Sequence, residues 1–431
     1  MHNSGDRQVS FSIVALMVAL SAMSYLNRTI MSVAAPTLIK NFHLSETQMG
    51  SIFSAFILSY AILMVPGGWL ADRFGPRWVV ALTGGGTAIF TTLTVAAGAP
   101  SLARHVSVFW CFLAVRFVMG ACAAPFYPAC GRMTANWVPI LDRARIQGFI
   151  IGGAPLGAAI TPVLFAWLIA RYGWQQSFFF AAAGTLVLTF LWLRYAQDRP
   201  PGSSAPSTPT RATFHTDPGA WLLLKNRNIL LLSAGYFALN YFEFIFFYWI
   251  YYYFGEIRKV GASESAIYTT VLLLAMMVML PLGGWVSDRL IPRLGSIPAC
   301  RTVAVAGMVI SAALLYVGTN IVARLLMLAL LSLALGLAAT AEGPFWAAVI
   351  DAGGNHVGAA GGILNGVGNV GGLLAPVLTP YIASRFGWPW GLYTGSLIVL
   401  AGAVAWFFVR PLPETGLPLR GSMKAESESA S

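Results

Sequence analysis

Charge is what this chain has least of. Charged residues make up 10% of its 431 residues, against about 25% in an ordinary soluble domain. Acid is the scarcer sign, with 15 Asp and Glu against 26 Lys and Arg, a net charge of +11. Cysteine is also sparse. Cys111, Cys122 and Cys130 lie within or at the end of one apolar run and Cys300 in a loop. They form neither a pairing framework nor a metal-ligand spacing, so all four read as free thiols. No His/Cys metal cluster, nucleophile elbow or phosphate-binding loop is written in the chain, so nothing points to an enzyme, a metal or a cofactor.

What fills the space is apolar. Hydrophobic residues reach 57%, and runs long enough to span a bilayer, about 20 residues each, recur from end to end. Twelve are counted, near 11–35, 49–71, 79–98, 106–130, 145–170, 174–194, 227–254, 265–287, 301–319, 322–348, 356–383 and 388–410. Backbone in lipid must satisfy its own hydrogen bonds, and these runs are too long and continuous for barrel strands, so an all-α membrane protein is predicted. The first run has a weakly basic start, no clean small-residue cleavage site and a buried Arg, and is expected to be a true span rather than a signal peptide. The positive charge has a topological distribution. Arg73, Arg77, Arg132, Arg194, Arg199, Arg289 and Arg293 fall in or beside loops after even-numbered spans. That asymmetry places those loops and both termini in the cytoplasm, with no nucleic acid as partner.

Two stretches are the same phrase written twice: residues 67–77 read GGWLADRFGPR and residues 283–293 read GGWVSDRLIPR, 216 residues apart. The repeat runs further. Pro162 followed by Ala170-Arg171-Tyr172-Gly173-Trp174 answers Pro376 followed by Ser384-Arg385-Phe386-Gly387-Trp388, and Ala124-Pro125-Phe126-Tyr127 answers Gly343-Pro344-Phe345-Trp346. Tandem membrane halves are a transporter's construction. The predicted organisation is a six-helix half over 1–194, a Pro/Ser/Thr-rich cytoplasmic linker over 195–224, a second six-helix half over 225–410 and a disordered cytoplasmic tail over 411–431.

These features resemble the major facilitator superfamily over essentially the whole chain, the G-x-x-x-D-R-x-x-x-R phrase being its most specific mark. The resemblance implies a cytoplasmic lock in which Asp72 faces a helix N-terminus and nearby Arg, with Arg73 and Arg77 beside it and Asp288 and Arg289 in the second copy. Tyr25-Leu26-Asn27-Arg28, with Val115-Arg116-Phe117, Gly120 and Ala124-Pro125-Phe126-Tyr127-Pro128, looks like the anion:cation symporter branch, which includes galactonate and hexuronate carriers. Galactonate-type members carry Asp where this chain has Asn27 and Glu where it has Ala123, and those acids are the proton carriers there. Neither role carries over to this chain.

A charged side chain at mid-bilayer costs about 2.5–3.5 kcal/mol even on mild scales, so such residues face cavities and mark function. Four lie inside spans: Arg28, Arg116, Glu243 and Glu342. Each could be a structural ion pair. Two Arg in the same half, however, offer a permanent cationic fork for a carboxylate or phosphate. Tyr25, Tyr60, Tyr127, Tyr241 and Tyr248, with Asn240, Asn365 and Asn369, supply hydroxyls and amides suited to the rest of a sugar acid, or else interhelical hydrogen bonds. Glu243 lies 216 residues after Asn27, and Glu342 219 after Ala123. The acids are thereby expected to have moved to the other half and taken up proton coupling.

Gly366, Gly368 and Gly371 spell G-x-G-x-x-G, but inside a span and without the strand that a dinucleotide site needs. Gly362 with Gly366, Gly368 with Gly372 and Gly153 with Gly157 have the spacing of close helix packing. Pro36, Pro125, Pro155, Pro162, Pro344 and Pro376 are expected to kink helices. The expected function is a monomeric secondary transporter of a small organic anion in the inner membrane, coupled to protons. Anion exchange or facilitated diffusion, a non-transporting receptor and a membrane enzyme are the alternatives.

Overall fold

The computed structural model describes residues 4–99, 106–138, 143–199, 223–353 and 357–410. Most of the predicted linker and the whole predicted tail lie outside these residues. Among them there are helices and no strands. The first half comprises α1 (Ser4–Phe42), α2 (Glu46–Phe74) and α3 (Pro76–Ala97), then α4a (Val108–Ala123) with α4b (Phe126–Trp137), and a run from Arg143 to Tyr195. That run contains a 50-residue apolar stretch, Ile146–Tyr195, which as one helix would measure about 75 Å, more than twice a bilayer core. Gly173, at φ 84 and ψ 164, divides the run into α5 (143–172) and α6 (174–195).

The second half comprises α7 (Arg227–Tyr248), α8 (Ala262–Leu294), α9 (Ser296–Asn320), α10a (Arg324–Ala339), α10b (Glu342–Gly353), α11 (Val357–Phe386) and α12 (Trp388–Phe407). Among the described residues, eleven helical runs are long and apolar enough to cross a membrane, and the division at Gly173 makes twelve spans. Their outward faces carry large apolar side chains such as Trp110, Phe190 and Leu397, each about 60% exposed or more, as lipid contact requires.

The repeat has a physical basis in the turns. Gly75 (φ 84) joins α2 to α3 and Gly295 (φ 82) joins α8 to α9, while Gly173 and Gly387 (φ 91) join α5 to α6 and α11 to α12. Only glycine takes this backbone without strain. The phrase's leading glycine also has a packing role. A methyl group on Gly67 would fall 2.7 Å from the Cα of Pro125, where α4 breaks, and one on Gly283 would fall 2.0 Å from the carbonyl oxygen of Thr340, where α10 breaks. Of the prolines expected to kink helices, Pro125 and Pro344 lie at these breaks. α1, α5 and α11 run on as helix through Pro36, Pro155, Pro162 and Pro376.

Close approach within each half follows the expected glycines only in part. A methyl on Gly153 would fall 2.6 Å from the Val18 carbonyl oxygen and one on Gly157 1.9 Å from that of Ala22, which fixes α5 against α1. Gly368 and Gly372 pack on the Tyr236 and Phe244 rings, and Gly371 on the Phe237 carbonyl, fixing α11 against α7. Gly362 and Gly366 are the correction: nothing lies within 4 Å of where their Cβ would be.

The halves meet along α2 with α11 and α5 with α8. A methyl on Gly50 would meet the Pro376 carbonyl oxygen at 1.9 Å. Ser54 Oγ donates to Leu373 O at 2.6 Å, and Thr270 Oγ1 to Ala159 O at 2.7 Å. Tyr252 Oη donates to the Glu46 carboxylate at 2.6 Å. These contacts sit toward the end of the molecule that carries Glu46. Nearer the opposite end, which carries Asp72, the glycines Gly148 and Gly152 of α5 and Gly362 and Gly366 of α11 stand bare.

Candidate functional site

Arg28 projects from α1 into the seam between the halves. Its guanidinium carbon lies 5.1 Å from the Phe244 ring centroid, 5.3 Å from Tyr25, 5.6 Å from Phe56 and 5.9 Å from Tyr60. Four ring faces stabilise a cation that has left water. Its Nε donates to Tyr248 Oη at 3.0 Å, a bond that crosses from one half to the other. No hydrogen bond from its Nη atoms is found among the described residues. A void of about 20 Å³, room for one water molecule, is bounded by Tyr25, Arg28, Thr29, Phe244, Phe247 and Tyr248.

Arg116 on α4a is 2% exposed. Its Nη1 donates to Asn27 O at 3.3 Å and approaches the Met119 sulfur at 3.6 Å, while Nε and Nη2 are buried without a partner. Buried donors are nearly always paired, and two nitrogens of this guanidinium are not. Tyr248 lies within electrostatic reach of both Arg116 and Arg28. Asn27 forms a neutral hub: its Nδ2 donates to Thr185 Oγ1 at 2.8 Å, with Thr91 Oγ1 at 3.5 Å from its Oδ1.

The two acids stand in the second half. Glu342 opens α10b and accepts from Tyr236 Oη at 2.9 Å, with the Trp346 indole donating to the same hydroxyl at 3.3 Å. Glu243 on α7 is 3% exposed, and its Oε1 is buried without a partner. The two carboxyl groups are within electrostatic reach of each other, and Tyr25 is within reach of both.

The other expected site residues divide. Tyr25 and Tyr60 join Arg28. Asn240 Nδ2 donates to Tyr236 O one turn back at 3.0 Å, beside the Gly368 backbone. Asn369 Nδ2 donates to Asn365 O at 2.9 Å, and Asn365 Nδ2 approaches the Met64 sulfur across the seam at 3.7 Å. Tyr127 Oη is 2.9 Å from Ser21 Oγ, tying α4b to α1. The structure does not bring Tyr241 to the site: it is 1% exposed and its hydroxyl meets Thr394 of α12 at 3.3 Å. Sequence reasoning left out Phe56, Phe244 and Tyr236, and offered Tyr248 as one hydroxyl among five without its partner Arg28. These are aromatic residues in aromatic-rich spans, and nothing local marks them.

At the duplicated phrase, Asp72 pairs with Arg132 of α4b at 3.5 Å. Arg73 lies over Trp69 at 5.1 Å and Arg289 over Trp285 at 4.1 Å, the same i−4 stacking in both halves. Arg77 Nη2 donates to Leu193 O at 2.6 Å, and its backbone N–H is capped by Asp198 at 2.9 Å. The acid at the α3 N-terminus is therefore Asp198. Asp288 takes no ion pair among the described residues.

Twelve spans in two like halves, with cations and acids buried where the halves meet, define a membrane transporter rather than an enzyme. The profile of the Major Facilitator Superfamily matches residues 17–300 and 293–428, and the chain belongs to that superfamily. A protein named "Probable sulfoacetate transporter" from Cupriavidus necator is 28% identical, with 93% of this chain and 94% of that one covered. The hexuronate transporter of Bacillus subtilis is 27% identical over 93% and 94%. A D-galactonate transporter of Escherichia coli is 26% identical over 89% and 92%. Among solved structures, an inward-facing bacterial homologue of the lysosomal transporter Spinster superposes with a TM-score of 0.76 at 17% identity, covering 92% of this chain and 96% of that one. The D-xylose-proton symporter does so at 0.72 and 14%, covering 93% and 98%.

Proposed function

We propose that this transporter carries a small organic anion, a sugar acid or another carboxylate, by alternating access across the inner membrane, with proton symport as its coupling. The observation that carries the reading is Arg28: a cation held among four rings at the seam, with Nη donors free beside a void. A fixed cation in a low-dielectric site selects an anion and orients it through paired N–H donors. The relatives named for sulfoacetate, hexuronate and galactonate support the same class of cargo.

We read the Asp72 end and both termini as cytoplasmic, a reading that the basic loops support. Seam contacts gathered at the Glu46 end then describe an inward-facing state. Coupling is assigned to Glu243 and Glu342. An ionised carboxylate buried without a partner is costly, whereas a carboxyl group that meets water alternately from two sides can take up and release a proton. An anion bound on Arg28 cancels positive potential nearby, so anion and proton favour each other's binding. Anion exchange is the second reading, favoured by Asn27, a satisfied amide where a carboxyl group would otherwise stand beside the Arg pair in the first half. The test is uptake by sealed proteoliposomes loaded with pH and substrate gradients. Accumulation driven by an inward proton gradient supports symport. Flux that ignores pH and responds to substrate on the far side supports exchange.

A further inference from the structure

We propose that Tyr248 is a latch that the cargo must displace: in the empty carrier its phenol oxygen holds the place on Arg28 that the anion takes. The inference rests on the reading of Arg28 as the anion site. Tyr248 is 2% exposed, and its Oη accepts from Arg28 Nε at 3.0 Å. Hydrogen bonds to charged groups are among the stronger ones, and an anionic oxygen accepts better than a phenol. The void beside this pair, about 20 Å³, admits one water and no organic anion. A cargo therefore enters only if a wall of the void moves. Among the lining side chains, Tyr248 offers the hydrogen bond for which an anion competes directly.

The backbone allows that movement. Tyr248 ends α7, and Trp249, at φ −115 and ψ −17, distorts the helix while keeping its bond to Ile245 O, before a three-residue helical turn and a π-turn over Tyr253–Ile257. Such irregular turns are where a helix bends.

The latch is also joined to the seal. The Tyr248 ring lies 4.8 Å from Phe53 of α2, and Phe53 lies 5.6 Å from Trp249. The Trp249 indole donates to Pro376 O of α11 at 3.0 Å. Displacing the phenol from Arg28 thus loosens the contacts that close the Glu46 end. One residue couples occupancy of the site to opening on the far side.

The test compares wild type with Tyr248→Phe, which keeps the ring and removes the competing oxygen. The reporter is a Ser54→Cys substitution, in a background with the four native cysteines replaced, because Ser54 is buried in the seam that must open. Without any ligand, Tyr248→Phe should raise thiol labelling at this position at least threefold. An unchanged rate overturns the latch. In titrations with D-glucuronate, D-galactonate and sulfoacetate, whichever binds the wild type should bind Tyr248→Phe at least threefold more tightly. Equal affinity shows that the phenol does not compete, and weaker affinity makes Tyr248 a ligand of the cargo; either overturns the proposal. Arg28→Lys separates the two levels. If it binds these anions as wild type does, the anion-site reading fails. If it loses binding while Tyr248→Phe changes nothing, only the latch fails.

Discussion

Arg116 carries five N–H donors in a fixed fork and sets one of its nitrogens against a protein oxygen, the carbonyl of Asn27. Its Nε and Nη2 are buried without a partner, and on the proposed reading an incoming anion takes them. Arg28→Lys and Arg116→Lys should each weaken anion binding at least tenfold, measured by thermal shift on purified protein, because lysine keeps the charge and loses the fork. Tyr241→Phe is the contrasting change. Its hydroxyl meets Thr394 on the far side of α7, so binding should stay within about twofold, the shift of a few tenths of a kcal/mol that loss of a remote, weak bond implies. The charged members of the site were legible in the sequence, since a charge within a span has a known cost and few reasons to be kept. Tyr248 was legible as a tyrosine of the second half but not as the partner of Arg28: it is one of 15 tyrosines, and the meeting of α1 with α7, 220 residues apart, is what brings its hydroxyl to that guanidinium.

Helices repeat the lesson with backbone in place of side chains. Spans and their pairing into halves could be read from hydropathy and the duplicated phrase. The breaks in α4 and α10 were announced by Pro125 and Pro344, but not the packing against them of Gly67 and Gly283 from a neighbouring helix. The same close approaches separate glycines that the composition makes look alike. Gly157→Ala and Gly371→Ala place a methyl about 2 Å from a carbonyl oxygen of the neighbouring helix and should destabilise the fold by about 1–3 kcal/mol through overpacking. Gly366→Ala meets open space and should be neutral or slightly stabilising, by the helix preference of up to about 1 kcal/mol. Unfolding midpoints in detergent would check all three. If Gly366→Ala nonetheless slows transport while leaving stability intact, its bare face closes on a partner in another state of the cycle.

The Asp72–Arg132 pair binds α2 to α4b within one half and is about one-third exposed, so its loss should change stability by well under 1 kcal/mol. Asp72→Asn is instead expected to alter the balance of states, raising cytoplasmic thiol accessibility and slowing cycling with binding nearly unchanged. Unaltered accessibility would leave the phrase a topology signal alone.

For the molecule as a whole, the division of labour between halves is the feature with most consequence. Both interior cations come from the first half and both interior acids from the second, so every swing of one half against the other changes the distance and the water between them. Neither acid has a cation partner among the described residues: Glu342 leans on Tyr236, and Glu243 Oε1 on nothing. No ion pair among the described residues holds either acid, and on the proposed reading a proton balances them. Glutamine keeps the shape and the hydrogen bond of the neutral acid and cannot exchange the proton. Glu243→Gln and Glu342→Gln should therefore lower pH-driven accumulation at least tenfold in proteoliposomes while leaving exchange of labelled for unlabelled substrate near the wild-type rate, since exchange needs only the loaded carrier to reorient. The pH dependence has a definite sign. In wild type, lowering the pH on the uptake side should raise the rate, because the protonated carrier binds the anion better; in the double variant the rate should not respond. If both single variants and the double one still concentrate substrate in response to a proton gradient, the two acids are structural, and the carrier works as an exchanger or with another coupling ion.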